Sequence, residues 1–346
     1  MQYKNVYIES FGYELAPHVI SSDDIEHRLQ PLYEKLHFQK GQLEALTGIC
    51  ERRLWDKDFK MSHGAISAGR KAIESSNISP DMIGAVVYGG VCRDNLEPAT
   101  ACAVANGLKI NADAIVYDVS NACLGVLNGI IDVANAIELG QIKAGLVVSC
   151  ESSRQIMDIT IDRLLSEKDM ACFKKTVATL TGGSGAVAML LCDKSVSDKG
   201  HRILGGCVKN ATEHHKLCRW GPDTGIPASG LHSMETDSVG VLNHGIALGI
   251  KTYRAFKKEM QLNDDKPDKI ICHQVGSAHQ KTILESLCIP MEKDFTTYRY
   301  LGNIGTVSLP ITAAIASERD FLLPGDSVGF FGIGSGLNCI MLGIKW

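Results

Sequence analysis

The sequence predicts an α/β fold built from two similar halves. Short apolar runs of strand length alternate with longer segments of helical period. The succession then occurs a second time in the same order. Composition agrees: of 346 residues, 45% are hydrophobic and 21% charged, which excludes disorder, and 34 glycines suit helices packed closely on a buried sheet.

Taken in order, 83–90 (IGAVVYGG) reads as a buried strand and 101–108 as a short helix. Residues 114–119 (AIVYDV) form another strand, followed by a long helical pattern over 124–139. Further strands are expected at 145–150 (GLVVSC) and 185–191 (GAVAMLL). Such continuous apolar runs belong to a sheet covered on both faces. Between them, 152–181 is polar and irregular, the pattern of an insertion covering a site.

From about residue 240 the series repeats. Pro80-Asp81-Met82-Ile83 returns as Pro267-Asp268-Lys269-Ile270, 187 residues later. The strand–turn–helix of 114–139 returns at 295–318, GLVVSCESS (145–153) as SVGFFGIGS (327–335), and GAVAMLLCD (185–193) as NCIMLGIKW (338–346). The expected division is 1–195 and 196–346, with a site at the junction of the halves.

A net charge of −4 with no basic run offers nucleic acid no electrostatic footprint. The 12 cysteines show no C-x-x-C pair, and the chain is long for a disulfide scaffold. Several, such as Cys192 and Cys272, lie in apolar runs where a thiol packs as a small hydrophobe. Residues 1–10 lack a secretory leader's basic and apolar regions, and no apolar stretch reaches about 18 residues without a charge or breaker. A reduced, cytoplasmic protein with no membrane span is expected. His214 and His215, near Cys207 and Cys218, match no metal-site spacing. The glycine-rich 181–185 (TGGSG) lacks a P-loop lysine and the full dinucleotide fingerprint. No metal and no cofactor are therefore expected.

Three residues could carry chemistry. Cys123, in DVSNACLG, stands between a strand and a long helix, as in a nucleophile elbow. The helix N-terminus offers free N–H groups and partial positive charge, which should lower the thiol's pKa. His273, in IICHQVG, ends an apolar strand, and Asn303, in GNIGT, occupies a glycine-flanked turn. Taken singly, each has a plain structural reading: a packing cysteine, a strand-end histidine, a turn asparagine. Together they stand where strands give way to helices, and in such sheets those ends converge on the ligand crevice. A histidine 150 residues after the cysteine and an asparagine 30 further also suit a papain-type protease. Against it, no C-G-S-C-W-like context surrounds Cys123, 122 residues precede it, and duplicated α/β halves fit a protease poorly.

These motifs, with GIGSGLN (332–338) and TGICERR (47–53), resemble the thiolase superfamily, specifically its ketoacyl synthase III-like condensing enzymes, over essentially the whole chain. The resemblance implies a five-layered αβαβα fold of two duplicated halves, a Cys123-His273-Asn303 triad and a homodimer. It also implies an oxyanion hole from the backbone N–H groups of Cys123 and Ser335. NACLGVLNG, LGNIGTVSLP and GIGSGLNCIMLGIKW are most similar to the branch that joins two fatty acyl chains head to head in bacterial olefin synthesis. That likeness implies a role for Glu97, 26 residues before Cys123, as a base reaching the partner subunit's site. By itself, a glutamate beside proline reads as a solvated loop carboxylate.

The implied activity is an acyltransferase: non-decarboxylative Claisen condensation of two acyl-CoA molecules through an acyl-cysteine. The thioester, on coenzyme A or a carrier protein, enters as substrate. The initiating synthases of fatty-acid synthesis carry a Trp and an Arg before TGI that clamp adenine; here Gln42 and Leu46 occupy those positions. This disfavours one alternative, a decarboxylative 3-oxoacyl-carrier synthase III using a malonyl thioester. The alternative of another class is a catalytically silent partner subunit of the same fold.

Overall fold

The computed structural model describes residues 1–197, 200–221, 233–262 and 267–346. The first half opens with β1 (Val6–Leu15). The short pair β2 (His18–Ser21) and β3 (Glu51–Leu54) then encloses α1 (Ser22–Arg28), α2 (Gln30–Leu36) and α3 (Gln42–Thr47). Next come α4 (Met61–Glu74), β4 (Ile83–Gly89), α5 (Thr100–Leu108), β5 (Ile115–Val119), α6 (Gly125–Glu138) and β6 (Ala144–Glu151). Helices α7 (Arg154–Glu167) and α8 (Met170–Thr176) precede β7 (Gly185–Asp193). The second half runs β8 (His201–Asn210), a small ribbon of β9 (Cys218–Trp220) and β10 (Met234–Thr236), and α9 (Ser238–Met260). It continues with β11 (Lys269–Cys272), α10 (Ser277–Leu287), α11 (Tyr298–Leu301), α12 (Ser308–Glu318), β12 (Ser327–Gly334) and β13 (Asn338–Lys345).

Nine strands lie in the order β11-β12-β13-β8-β1-β7-β6-β4-β5. The continuity is narrow in the middle, where β1 and β8 are joined by the pairs Tyr7–Arg202 and Ile8–His201. Two sheets thus meet at a corner, and their wiring matches. In the first, β4 and β6 are parallel, β7 is antiparallel to β6, and β1 is antiparallel to β7. In the second, β11 and β12 are parallel, β13 is antiparallel to β12, and β8 is antiparallel to β13. Only the counterpart of β5 is reduced: where β4 pairs with β5, β11 makes a single parallel bridge from Ile270 to Asp294. The four sequence echoes fall on corresponding elements. The second series begins with β8, earlier than the expected residue 240.

Five layers result. Alternate residues of one strand serve two cores: in β7, Val187, Met189 and Leu191 face the central core, while Ala186, Ala188 and Leu190 face the outer one. The outer core is closed by the alanine-rich faces of α4 and α5. The central core is filled by α6 and α12 between the sheets, and α12 is buried from Ser308 to Ala316, as a helix covered on both sides must be. Beyond the second sheet, Leu248 and Phe256 of α9 and Leu284 of α10 pack on Ile270, Phe331 and Met341. Each fully buried Val, Leu or Ile contributes about 1.5–3 kcal/mol.

One expectation needs correction. Residues 152–181 are helical rather than irregular: α7 buries Met157, Ile161 and Leu164 in one cluster with Ile25 of α1 and Leu32 of α2. Cys192 and Cys272 are buried as expected, whereas Cys102 and Cys288 are exposed. Among the described residues no helix is long and apolar enough to cross a membrane.

Candidate active site

Cys123 sits in the turn between β5 and α6. Ala122 before it adopts φ 44°, a left-handed backbone that a residue with a Cβ holds only under constraint. The constraint is a close approach of backbones. A Cβ on Gly125 would stand 2.9 Å from the Gly89 carbonyl carbon, so α6 begins directly against the end of β4. The second half secures the same turn: Thr306 Oγ1 accepts the Val126 N–H at 2.8 Å, satisfying a first-turn donor of α6. Gly334 also lies against the elbow, where a Cβ would come within 3.4 Å of the Cys123 nitrogen. This brings Ser335 beside the Cys123 backbone.

His273 follows β11 and extends its pairing, donating its N–H to the Phe331 carbonyl at 2.9 Å. The neighbouring Gln274, unremarked in the sequence, is buried; its Oε1 accepts the N–H groups of Thr297 (2.9 Å) and Tyr298 (3.2 Å), and its Nε2 donates to the Cys272 carbonyl. His273 Nδ1 is buried and has no partner among the described residues. An orphaned lone pair costs less than an orphaned N–H, so the proton belongs on Nε2, the nitrogen open to the cavity.

Asn303 is held by main chain on both sides. Its N–H donates to the Thr181 carbonyl and its carbonyl accepts from Gly183, both at 2.9 Å. The glycines of TGGSG serve this contact, since a Cβ on Gly183 would lie 2.1 Å from the Leu301 oxygen. Asn303 Oδ1 accepts the Gly305 N–H at 3.1 Å, which leaves Nδ2 as its free donor.

Cys123, His273, Asn303 and Ser335 line one cavity of about 480 Å³. Its deep walls are apolar, with Leu242 and Ile246 of α9 facing Ile283 and Leu287 of α10. Leu46 lies at its rim, half-exposed. A second, open hollow of about 590 Å³ between the N-terminus and α9 contains none of the four. Glu97 is not in the cavity of its own chain. It lies exposed between Leu96, 85% exposed, and a cis bond to Pro98, on the side of the sheet that β5 ends. His214, considered for a metal, stacks on His244 with ring centroids 3.7 Å apart.

The electrostatics correct one expectation. Burial pushes the Cys123 thiol up to about 12, with the Cys218 and Glu151 charges adding to the effect. A helix N-terminus is worth at most about 2 kcal/mol and does not overcome that desolvation. Burial likewise takes His273 down to about 4, with His279 contributing. At neutral pH the pair rests as thiol and neutral imidazole, not as thiolate and imidazolium.

Known proteins supply the context. Residues 47–181 match the thiolase N-terminal domain, and 258–346 match the C-terminal domain of 3-oxoacyl-[acyl-carrier-protein] synthase III. The chain is 53% identical to the acyl-CoA:acyl-CoA alkyltransferase of Shewanella oneidensis and 36% identical to that of Xanthomonas campestris, over 100% of each protein. A crystal structure of Xanthomonas campestris OleA, with a cysteine changed to alanine, superposes with a TM-score of 0.94 at 35% identity, covering 100% of this chain and 98% of that one. Another, at TM-score 0.93 with 99% and 100% covered, holds lauric acid and lauroyl-CoA. The chain belongs to the thiolase superfamily, as an acyltransferase of its ketoacyl synthase III-like condensing enzymes in the acyl-CoA:acyl-CoA alkyltransferase family.

Proposed function

We propose that the protein joins two fatty acyl-CoA molecules head to head, without decarboxylation, in lipid biosynthesis. The observation that carries this reading is the convergence of Cys123, His273 and Asn303 on one apolar cavity. Cys123 attacks the first thioester; the acyl group passes to its sulfur, and its proton leaves with the released carrier thiol. The oxyanion is met by the backbone N–H groups of Cys123 and Ser335, donors each worth roughly a hundred- to a thousandfold in rate.

The second acyl-CoA must lose an α-proton to become a nucleophile. His273 Nε2–H and Asn303 Nδ2 donate to the forming enolate oxygen, which the neutral imidazole suits. Glu97 of the partner subunit takes the proton, a task that desolvation in the partner's site would favour. In the Xanthomonas protein, the glutamate and the cysteine altered in solved variants are 26 residues apart, as are Glu97 and Cys123. Exposed Leu96 and Ile115, at the edge formed by β5, suit a homodimer that brings Glu97 across. Attack on the acyl-cysteine yields a β-keto thioester and frees Cys123. These steps call for no metal, nucleotide or redox group.

The test is Glu97→Ala with unmodified acyl-CoA, followed by intact mass and product analysis. The variant should still form the Cys123 adduct, while condensation falls about 10²–10⁴-fold. Undiminished condensation, or product from malonyl thioesters alone, would overturn the reading. Absence of an adduct with any thioester would support a silent subunit instead.

A further inference from the structure

The mechanism leaves unused a buried acid that lies between the Glu97 loop and the Asn303 turn. Glu151 ends β6 and is 5% exposed. Its Oε1 accepts the Val91 N–H at 2.8 Å, and its Oε2 accepts the Cys92 N–H at 3.2 Å. Val91 and Cys92 are the root of the loop that carries Glu97. The far end of that loop is tied in the same way, because Asp118 of β5 accepts the N–H groups of Thr100 (2.8 Å) and Ala101 (2.9 Å) at the start of α5. On its other side Glu151 lies against the Asn303 turn: a Cβ on Gly305 would stand 3.5 Å from Glu151 Cγ and 3.9 Å from its Oε1. One carboxylate therefore underlies both the loop bearing the proposed base and the turn bearing the proposed enolate donor.

We infer that Glu151 is a positioning residue for the condensation step, its carboxylate clamping the root of the Glu97 loop and bracing the Asn303 turn. The inference rests on the reading of Glu97 as the α-proton base. A carboxylate can accept two N–H groups at once, whereas a neutral carboxyl must also place its own O–H. An amide of the same shape sets an NH₂ group against one of the loop donors. The clamp is thus specific to charge as well as to shape.

Burial brings the Glu151 carboxyl up to about 7, against the pull of the two loop amides and of Arg93. The ionisable groups around it are Tyr88 on β4, Cys92 and Arg93 in the loop, Cys150 on its own strand, and Cys123, with Asp94 acting on Cys150. Tyr88 donates to the carbonyls of Cys92 and Cys150. β7 presents Gly185 opposite Glu151, and the Asn303 turn presents Gly305, neither ionisable. As pH rises through about 7, the carboxylate forms and the clamp closes, while its charge adds to the burial that raises the Cys123 thiol.

The experiment compares Glu151→Gln and Glu151→Asp with the parent chain and with Glu97→Ala. Four readouts are taken: acylation by intact mass, condensation rate against pH, iodoacetamide alkylation of Cys123 in free enzyme, and thermal melting. Glu151→Gln should acylate within about threefold of the parent, lose about 10–100-fold in condensation as a misplaced catalytic group does, and lack the rise near pH 7. Its Cys123 should alkylate somewhat faster, because a charge that adds to the effect of burial on the thiol is gone. Glu151→Asp keeps the charge but shortens the reach, so condensation should fall while alkylation stays at the parent rate. This second variant carries the test if the first fails to fold. Equal loss of acylation and condensation, or no change in either with unaltered alkylation, would overturn the inference. Full condensation by Glu97→Ala, by contrast, would sink the base assignment itself.

Discussion

Replacing Gly125 with alanine asks whether the elbow's position is set by contact between backbones. An alanine Cβ would come within 2.9 Å of the Gly89 carbonyl carbon, 3.1 Å of its oxygen and 3.2 Å of the Gly90 nitrogen. Ordinary contact begins at about 3.4 Å, so α6 must retreat by about 0.5 Å at its first residue. No side-chain end is available to yield, since all three atoms are main chain. Alanine improves helix propensity by about 1 kcal/mol. Overpacking costs about 1–3 kcal/mol, and at a helix start wedged on a strand the second effect wins. The kinetic consequence is larger than the thermal one. If about 1 Å of misplacement costs about a hundredfold, about 0.5 Å costs about tenfold. The assay is the rate of Cys123 acylation by a saturating acyl-CoA, read by intact mass, beside a thermal melt of the same sample. Acylation at the parent rate, with melting unchanged or raised, would refute the argument that Gly89 and Gly125 set the nucleophile.

Two further outcomes follow from the same geometry. Gly249→Ala on α9 would place a methyl 2.9 Å from the Ile283 Cδ1, pushing that side chain into the acyl cavity. Each excluded methylene is worth about 0.8 kcal/mol, so competition between acyl-CoA chains should shift about fourfold toward the shorter one per carbon excluded; an unchanged adduct distribution would rule this out. Asp294, buried and bonded to the Cys272 N–H (3.2 Å) and Gln280 Nε2 (2.9 Å), is pushed up to about 7 by burial. The folded chain then holds a proton that the unfolded chain releases near pH 4, so stability falls as pH rises between those values and the contribution is gone above about 7. Asp294→Asn should flatten the decline in melting temperature from pH 5 to pH 8. An equally steep decline would assign the slope to other groups.

The sequence disclosed most of the architecture because buried strands read as unbroken apolar runs, and Val86, Leu146, Leu190 and Phe330 each lie in one. β8 escaped because its glycines and its partly exposed outer end interrupt the apolar signal. α7 was legible in principle: Ile156, Met157, Thr160, Ile161 and Leu164 form one helical face, hidden only by the polar residues between them. Cys123 and His273 each follow a strand, as the sequence suggested. Asn303 follows α11 and the reduced β5 counterpart, so its strand-end reading fails even though it lines the same cavity. The state of the thiol was not legible, because burial depends on walls supplied from elements distant in the chain. Gln274 and Glu151 went unnoticed for a related reason. Their partners are main-chain amides, which leave no mark on residue type.

The missing strand opposite β5 has a consequence for growth. A repeat protein whose two copies kept identical margins could add chain to chain indefinitely, head to tail, as a fibre. Here the two copies differ: one has only the Ile270–Asp294 bridge where the other has β5. The two ends of the sheet therefore present different surfaces to any partner: one is the strand β5, the other is β11 with its bridge to Asp294.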